Sequence, residues 1–210
     1  MRRHLAAASY FLTAGLLLAL VTGSSAAADE HEAFIVLPDT AAPLAGSKGR
    51  EADVTELFAT SAQTGGSLGL FRQTISPKSG PPLHIHKSND EFFYVISGEF
   101  RFQLGARVVS APVGSFIFVP RGTAHTFENS GTVPGVLLVG VTPGGLENFF
   151  VERQGVDAAT ADSINKRYDT DSCGPPLRRA GLGCLNSFPR MISGVPPGLV
   201  VRNRRWSVAT

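Results

Sequence analysis

His84, His86, Glu91 and His125 are the side chains of this chain whose types and spacing could do chemistry, and the chemistry is that of a metal centre. Three imidazoles and one carboxylate form a donor set of intermediate softness. Such a set suits one divalent transition metal (Fe, Mn, Ni, Co, Cu or Zn) rather than Ca or Mg, which take oxygen shells. His84 and His86 are two residues apart, so on a strand they point the same way. Glu91 opens a run of strand-forming residues, Glu91 to Ile96, that Gly98 closes. A second block runs from Gly114 through the apolar stretch 115–119 to the turn Pro120-Arg121-Gly122, then His125 and Asn129. That turn hands a third imidazole back toward the first strand. Histidines scattered over a β-protein and satisfied by backbone carbonyls are the plainer alternative. Three of the five histidines falling in two short blocks favours one shared site.

Three His and one Glu leave up to two positions open on an octahedral metal, and an open position separates catalytic from structural sites. Of the four, Glu91 is the one whose chemistry differs. A carboxylate can shift its coordination and accept a proton, whereas an imidazole pinned by its second nitrogen cannot. Phe93 shares the face of Glu91 and Phe127 that of His125, so both are candidates for the wall of a substrate pocket. Core packing accounts for either of them taken singly. Arg72 and Gln73 are adjacent on a neighbouring strand, so one of them should face inward.

The two blocks resemble the two motifs of the cupin superfamily. The second is matched throughout by Gly114, Pro120, Gly122, His125 and Asn129. The first departs once, because three residues rather than five separate Gly80 from His84; this shifts a turn and leaves every ligand in place. The stretch Gly80-Pro81-Pro82-Leu83-His84-Ile85-His86, followed by Asp90 to Val95, is most similar to small single-domain (type 2) bacterial cupins described as quercetin 2,3-dioxygenase-like. The resemblance covers roughly residues 65–176. It implies an all-β fold, a double-stranded β-helix or jelly-roll barrel enclosing the metal, and a homodimer. It further implies a dioxygenase that opens an enolic or phenolic, flavonol-like substrate with O2, with Glu91 taking the substrate proton. A non-catalytic small-ligand-binding cupin, or a cupin isomerase or decarboxylase, are the alternatives, since fold does not settle function.

The elements that must hold these residues read as β from Leu68 onward. Strands are expected at Leu68–Ser76, Leu83–His86, Glu91–Ile96, Phe100–Leu104, Arg107–Ser110, Phe116–Val119, His125–Glu128 and Val136–Val141, each bounded by Gly, Pro or Asn. Many short strands without an intervening helix indicate a sandwich or barrel. After Pro143 the period changes. Leu146, Phe149 and Phe150 suit a helical turn, and Asp157 to Tyr168 a second short helix. Residues 29–64 should lead in with one or two edge strands, with Phe34–Leu37 and Val54–Phe58 as the apolar runs. From residue 171 on, no helix or strand pattern emerges.

Residues 1–28 have the build of a signal peptide: Arg2-Arg3, an apolar run from Leu12 to Val21, and Ala26-Ala27-Ala28 at the expected cleavage site. A run of about ten residues is short for a membrane span, so export to the periplasm or medium, with no stable membrane anchor after cleavage, is expected. Residues 65–176 form the expected cupin domain. Residues 177–210, with six arginines and no acids, read as a poorly ordered tail. Setting both ends aside, residues 29–176 carry 11 basic and 17 acidic side chains. A net −6 offers no basic face to nucleic acid and leaves a small-molecule substrate, with O2, as the expected partner. Cys173 and Cys184 could pair in an oxidising compartment.

Overall fold

The computed structural model describes residues 32–41, 43–46 and 50–177. The segment expected to be a signal peptide, residues 178–210 of the arginine-rich tail and with them Cys184 lie outside the described residues. Among the described residues, no helix is long and apolar enough to cross a membrane.

Alternating burial builds the fold. In β3 (Gly69–Ile75) every second residue is buried, and β5 (Asp90–Ser97) buries Glu91, Phe93 and Val95 on one face. This is the period-2 pattern of a strand with one face on the core. In chain order the elements are β1 (Pro43–Ala45), β2 (Val54–Ala59), β3, β4 (Pro82–His86), β5, β6 (Phe100–Leu104), β7 (Arg107–Ala111), β8 (Phe116–Val119), β9 (His125–Asn129) and β10 (Gly135–Thr142). Then come α1 (Asn148–Glu152), α2 (Ala158–Arg167) and β11 (Thr170–Pro176).

Two antiparallel sheets result, one in the order β1-β2-β3-β10-β5-β8 and the other β11-β4-β9-β6-β7. Sequence neighbours repeatedly land in opposite sheets, as a jelly-roll requires. The fold is therefore the expected all-β double-stranded β-helix with short helices after it. Between the sheets lies an apolar core. Phe71, Phe93, Val95, Leu137 and Val139 come from the first sheet, and Phe100, Phe102 and Phe127 from the second. The rings of Phe93, Phe102 and Phe127 meet with centroids 5.1–5.5 Å apart, tilted or edge-on, as their quadrupoles prefer.

Two backbone features bring the motif strands together. A Cβ on Gly80 would come within 1.9 Å of the Phe127 carbonyl oxygen, so glycine is what lets the lead-in to β4 press against β9. At the other end Gly122 has φ +78°, and its N–H donates to the His86 carbonyl at 2.7 Å. The turn holding His125 is thus tied to the strand holding His86. Asp90 clamps the same turn, accepting from the backbone N–H of Arg121 at 2.8 Å and from its guanidinium at 3.1 Å. Those hydrogen bonds hold the Asp90 carboxyl below the ordinary range.

Two expectations are corrected. Phe34–Leu37 is not a strand; the short β1 at Pro43–Ala45 forms instead and pairs with β2. More consequentially, Thr170–Pro176 is a strand, pairing antiparallel with β4 from Thr170 opposite His86 to Pro176 opposite Pro82. Its sequence, Thr-Asp-Ser-Cys-Gly-Pro-Pro, has neither alternation nor β-branched residues beyond Thr170. Pairing with an open edge overrides that weak propensity, with register shifts around Gly174. Cys173, packed against the small cluster of Leu83 and Ile85, is disulfide-bonded.

α2 follows from its ends. The Asp157 side chain accepts from the Thr160 N–H at 2.7 Å as N-cap, and Lys166 and Arg167 sit in the last turn, where cations favour the dipole.

Candidate metal centre

His84, His86, Glu91 and His125 converge although they come from three strands in two sheets. His84 pairs directly with His125 across the β4–β9 ladder, and their ring centroids are 4.3 Å apart. His86 and Glu91 are each 6% exposed and His125 1%, while His84 is partly open to the adjoining cavity. One donor atom from each of the four lies within 4.8 Å of all the others.

The protonation pattern of the imidazoles follows from their outer partners. His84 Nδ1 is 2.8 Å from the Pro82 carbonyl oxygen and His125 Nδ1 is 2.9 Å from that of Thr123. A carbonyl only accepts, so both Nδ1 atoms carry the proton and donate it. His86 Nδ1 is 2.9 Å from Thr170 Oγ1, which itself donates to the Tyr168 carbonyl at 3.1 Å. With its one proton so used, the Thr170 hydroxyl accepts from His86 Nδ1–H. In the neutral rings all three Nε2 atoms are therefore lone-pair donors.

Those lone pairs face an acceptor. Glu91 Oε2 lies 2.9 Å from His125 Nε2 and 3.5 Å from His86 Nε2. Lone pair against carboxylate is repulsive unless a positive charge lies among them, as a proton on an imidazole or as a bound cation. Burial opposes ionisation of Glu91, but with a proton on the facing imidazoles the hydrogen bonds and charge from His125 and His86 outweigh it and hold the carboxyl far below its usual range. Burial, then the neighbouring imidazoles, push His84 well below its ordinary pKa, toward the neutral ring a metal needs. The donor set fits a divalent transition metal in chemistry, tautomer and outer-sphere support.

The cluster opens on a cavity of about 560 Å³ that His84, His86, Glu91 and Phe127 help to line. Phe127 thus stands where a pocket wall was expected. Phe93 is 1% exposed in the aromatic core, its ring centroid 6.4 Å from that of His125, and it does not reach the cavity. Gln73, not Arg72, faces inward, donating to Thr55 Oγ1 at 3.2 Å on the cavity wall. Arg72 points outward into a two-pronged pair with Glu56. Sequence reading missed Thr170, Arg153 and Asn165, which lie after the barrel motifs. Thr170 arrives through the pairing of β11 with β4, and Arg153 and Asn165 line the cavity from the end of α1 and from α2.

Asn129, the last motif residue, is no ligand. Its Nδ2 donates to the Ile75 and Val133 carbonyls and its Oδ1 accepts from the Gly131 N–H, fixing the end of β9.

Part of the chain is similar to known proteins. Residues 71–141 match the Cupin domain family model, Cupin_2. An oxalate-binding protein of Thermotoga maritima is 27% identical over 96 residues, which span 46% of this chain and 78% of that protein. The tetracenomycin polyketide synthase protein TcmJ of Streptomyces glaucescens is 25% identical over 95 residues, 45% of this chain and 64% of that one. The crystal structure of a predicted oxalate decarboxylase from Thermotoga maritima aligns with a TM-score of 0.47 and 21% identity, over 52% of this chain and 99% of that one. Three of the strands in the matched segment carry the His84, His86, Glu91 and His125 cluster, so over residues 71–141, about a third of its length, the chain is similar to cupin domains.

Proposed function

We propose that this chain is an exported metal-dependent dioxygenase that cleaves a small enolic or phenolic compound with O2. The observation that carries the reading is the set of Nδ1–H groups committed to Pro82, Thr170 and Thr123, which leaves three Nε2 lone pairs and one carboxylate facing a common point. A divalent transition metal bound there would supply Lewis acidity and redox capacity toward an enol oxygen and dioxygen. The chain's own residues would do the rest. The imidazoles are held rigid, Glu91 is the one ligand able to rotate and accept the substrate proton, and the core around Phe93 and Phe127 keeps that end of the site dry. Polyketides, the chemistry named by the Streptomyces relative, are rich in enolisable ketones.

The second reading is a non-catalytic binding protein on the same centre, and the Thermotoga oxalate-binding relative favours it. An isomerase or decarboxylase is the third. Elemental analysis decides the common premise: about one redox-active metal per chain in the wild type, lost in the His84→Ala, His86→Ala double variant. Oxygen uptake with flavonols or 1,3-diketones, abolished in Glu91→Ala, supports the dioxygenase. Thermal stabilisation by such compounds without any product supports the binding protein, and product without oxygen uptake supports the third reading. Little metal in the wild type would undo all metal-dependent versions.

The proposal includes a homodimer through the outer face of the first sheet. Tyr94 and Ile96 of β5 and Phe116 and Phe118 of β8 are exposed there, and β8 is an edge strand. Adjacent exposed aromatics on an unpaired edge are what a partner surface covers.

A further inference from the structure

One wall of the cavity is cationic and lies outside the ligand set and the motif segment. Arg153 closes α1 and lines the cavity beside Arg50 and Asn165. Its guanidinium is fixed on two sides. Nη1 donates to Asn165 Oδ1 at 2.7 Å, and the group's central carbon stands 4.9 Å from the centroid of the Phe149 ring. Nε, buried from solvent, has no hydrogen-bond partner among the described residues. A buried N–H of a charged group left unpaired is costly, so its retention calls for a reason.

Charge points the same way. Among the described residues no carboxylate is paired with Arg153, whereas Arg50 Nε is 2.7 Å from Asp53 Oδ2. Burial and then the charge of Arg50 depress the Arg153 pKa, so its surroundings resist the cation rather than neutralise it. Around the whole cavity Arg50, Lys78 and Arg153 cancel Glu51, Asp53 and Glu91, with the imidazoles neutral. A divalent cation among the four ligands then leaves the cavity at +2. A deprotonated enol or phenol oxygen supplies one negative charge, and a second must come from elsewhere on the same ligand.

We infer that Arg153 is an anion-reading residue and that the ligand of this cavity is an enol or phenol carrying a carboxylate. The deprotonated oxygen faces the His84, His86, Glu91 and His125 cluster, and the carboxylate accepts from Arg153. The inference rests on the metal-dependent reading above. A phosphate, at about −1.5 to −2, would overshoot the balance, and a neutral phenol would leave Nε unsatisfied.

The test is calorimetric titration of metal-loaded protein with 2-hydroxybenzoate, with 2-hydroxybenzamide, which differs in the carboxylate alone, and with phenyl phosphate. Wild type is expected to prefer the acid over the amide by roughly ten- to a hundred-fold, the scale of a charge-assisted hydrogen bond. Arg153→Gln, at unchanged metal content, should bind both alike. Arg153→Lys, which keeps the charge without the planar fork, should retain part of the preference and serves where Arg153→Gln does not fold. Equal binding of acid and amide by wild type, a preference that survives Arg153→Gln, or no binding of either ligand at full metal content overturns the inference. Preference for phenyl phosphate overturns its carboxylate. Should the wild type hold no metal, the metal reading fails, and benzoate, which lacks the phenol oxygen, tests Arg153 alone. Benzoate binding that Arg153→Gln abolishes keeps the anion site, and benzoate binding unchanged by it discards the site.

Discussion

The positions of the three Nδ1 protons say more about the centre than the four ligand names do. Two of them are fixed by carbonyls within two residues of the histidine itself, Pro82 for His84 and Thr123 for His125. These local arrangements follow from the strand and turn that the motif spacing already implies, which is why the convergence of the four side chains could be read from the sequence. The third depends on Thr170, 84 residues beyond its partner, and nothing in the local sequence announces it. Thr170→Val, nearly the same in shape, leaves His86 Nδ1 without its acceptor and frees the ring to turn or change tautomer. Metal affinity should fall about ten- to a hundred-fold, as is usual for loss of an outer-sphere partner, while the thermal midpoint of the metal-free protein moves little. Competition against a chelator of known affinity measures the first, and calorimetry of the stripped protein the second. Unchanged affinity would show that Thr170 does not orient His86. Phe93 gives the opposite lesson. Alternation correctly put it on the face of Glu91, but a strand face spans both the site and the core, and period alone does not say which part a residue reaches.

Element by element, the strands from β3 to β10 were legible because each is short and bounded by Gly, Pro or Asn and most are rich in β-branched or aromatic residues, so that local and tertiary preferences agree. Two of them, Phe100–Leu104 and Phe116–Val119, end at the expected residues. α2 was legible for a similar reason: Asp157 and Tyr168 bracket it as the caps. β1 and β11 were not, because each is strand only by virtue of the edge it meets. The two helices are joined where Glu152, at the end of α1, accepts from Tyr168 Oη at 2.6 Å and pairs with Arg167. Burial, with Glu152 beside it, pushes the Tyr168 phenol up to about 12. A pKa raised in the folded state means that the protonated phenol is favoured there. Its contribution to stability is complete below about pH 10, the ordinary tyrosine value, and is lost as pH rises through about 12. The stability gap between wild type and Tyr168→Phe, followed by denaturant titration, should stay constant up to pH 10 and close above it. A gap that persists beyond pH 12 would mean that the hydroxyl proton is not what joins the helices.

At the scale of the molecule, the outer face of the first sheet and the extension after β10 carry the remaining consequences. If Tyr94, Ile96, Phe116 and Phe118 form a contact between copies, Phe118→Lys, with its charge on an edge strand, should convert a dimer to a monomer in sedimentation. The centre should keep its metal, because Phe118 points away from it at 50% exposure. A wild type that already sediments as a monomer would remove the contact. The extension bears differently on the whole. The matched cupin segment ends at residue 141, yet Arg153, Asn165 and Thr170 all reach the cavity or its ligands from beyond that point. A protein cut at the end of the match would keep every donor and lose the groups that aim one of them and give the cavity its charge. The four candidate donors and Arg153 thus come from different stretches of the chain. Exchanging residues 142–167, with Tyr168, Thr170 and β11 left in place, offers a route to new ligand preferences around the same four candidate donors.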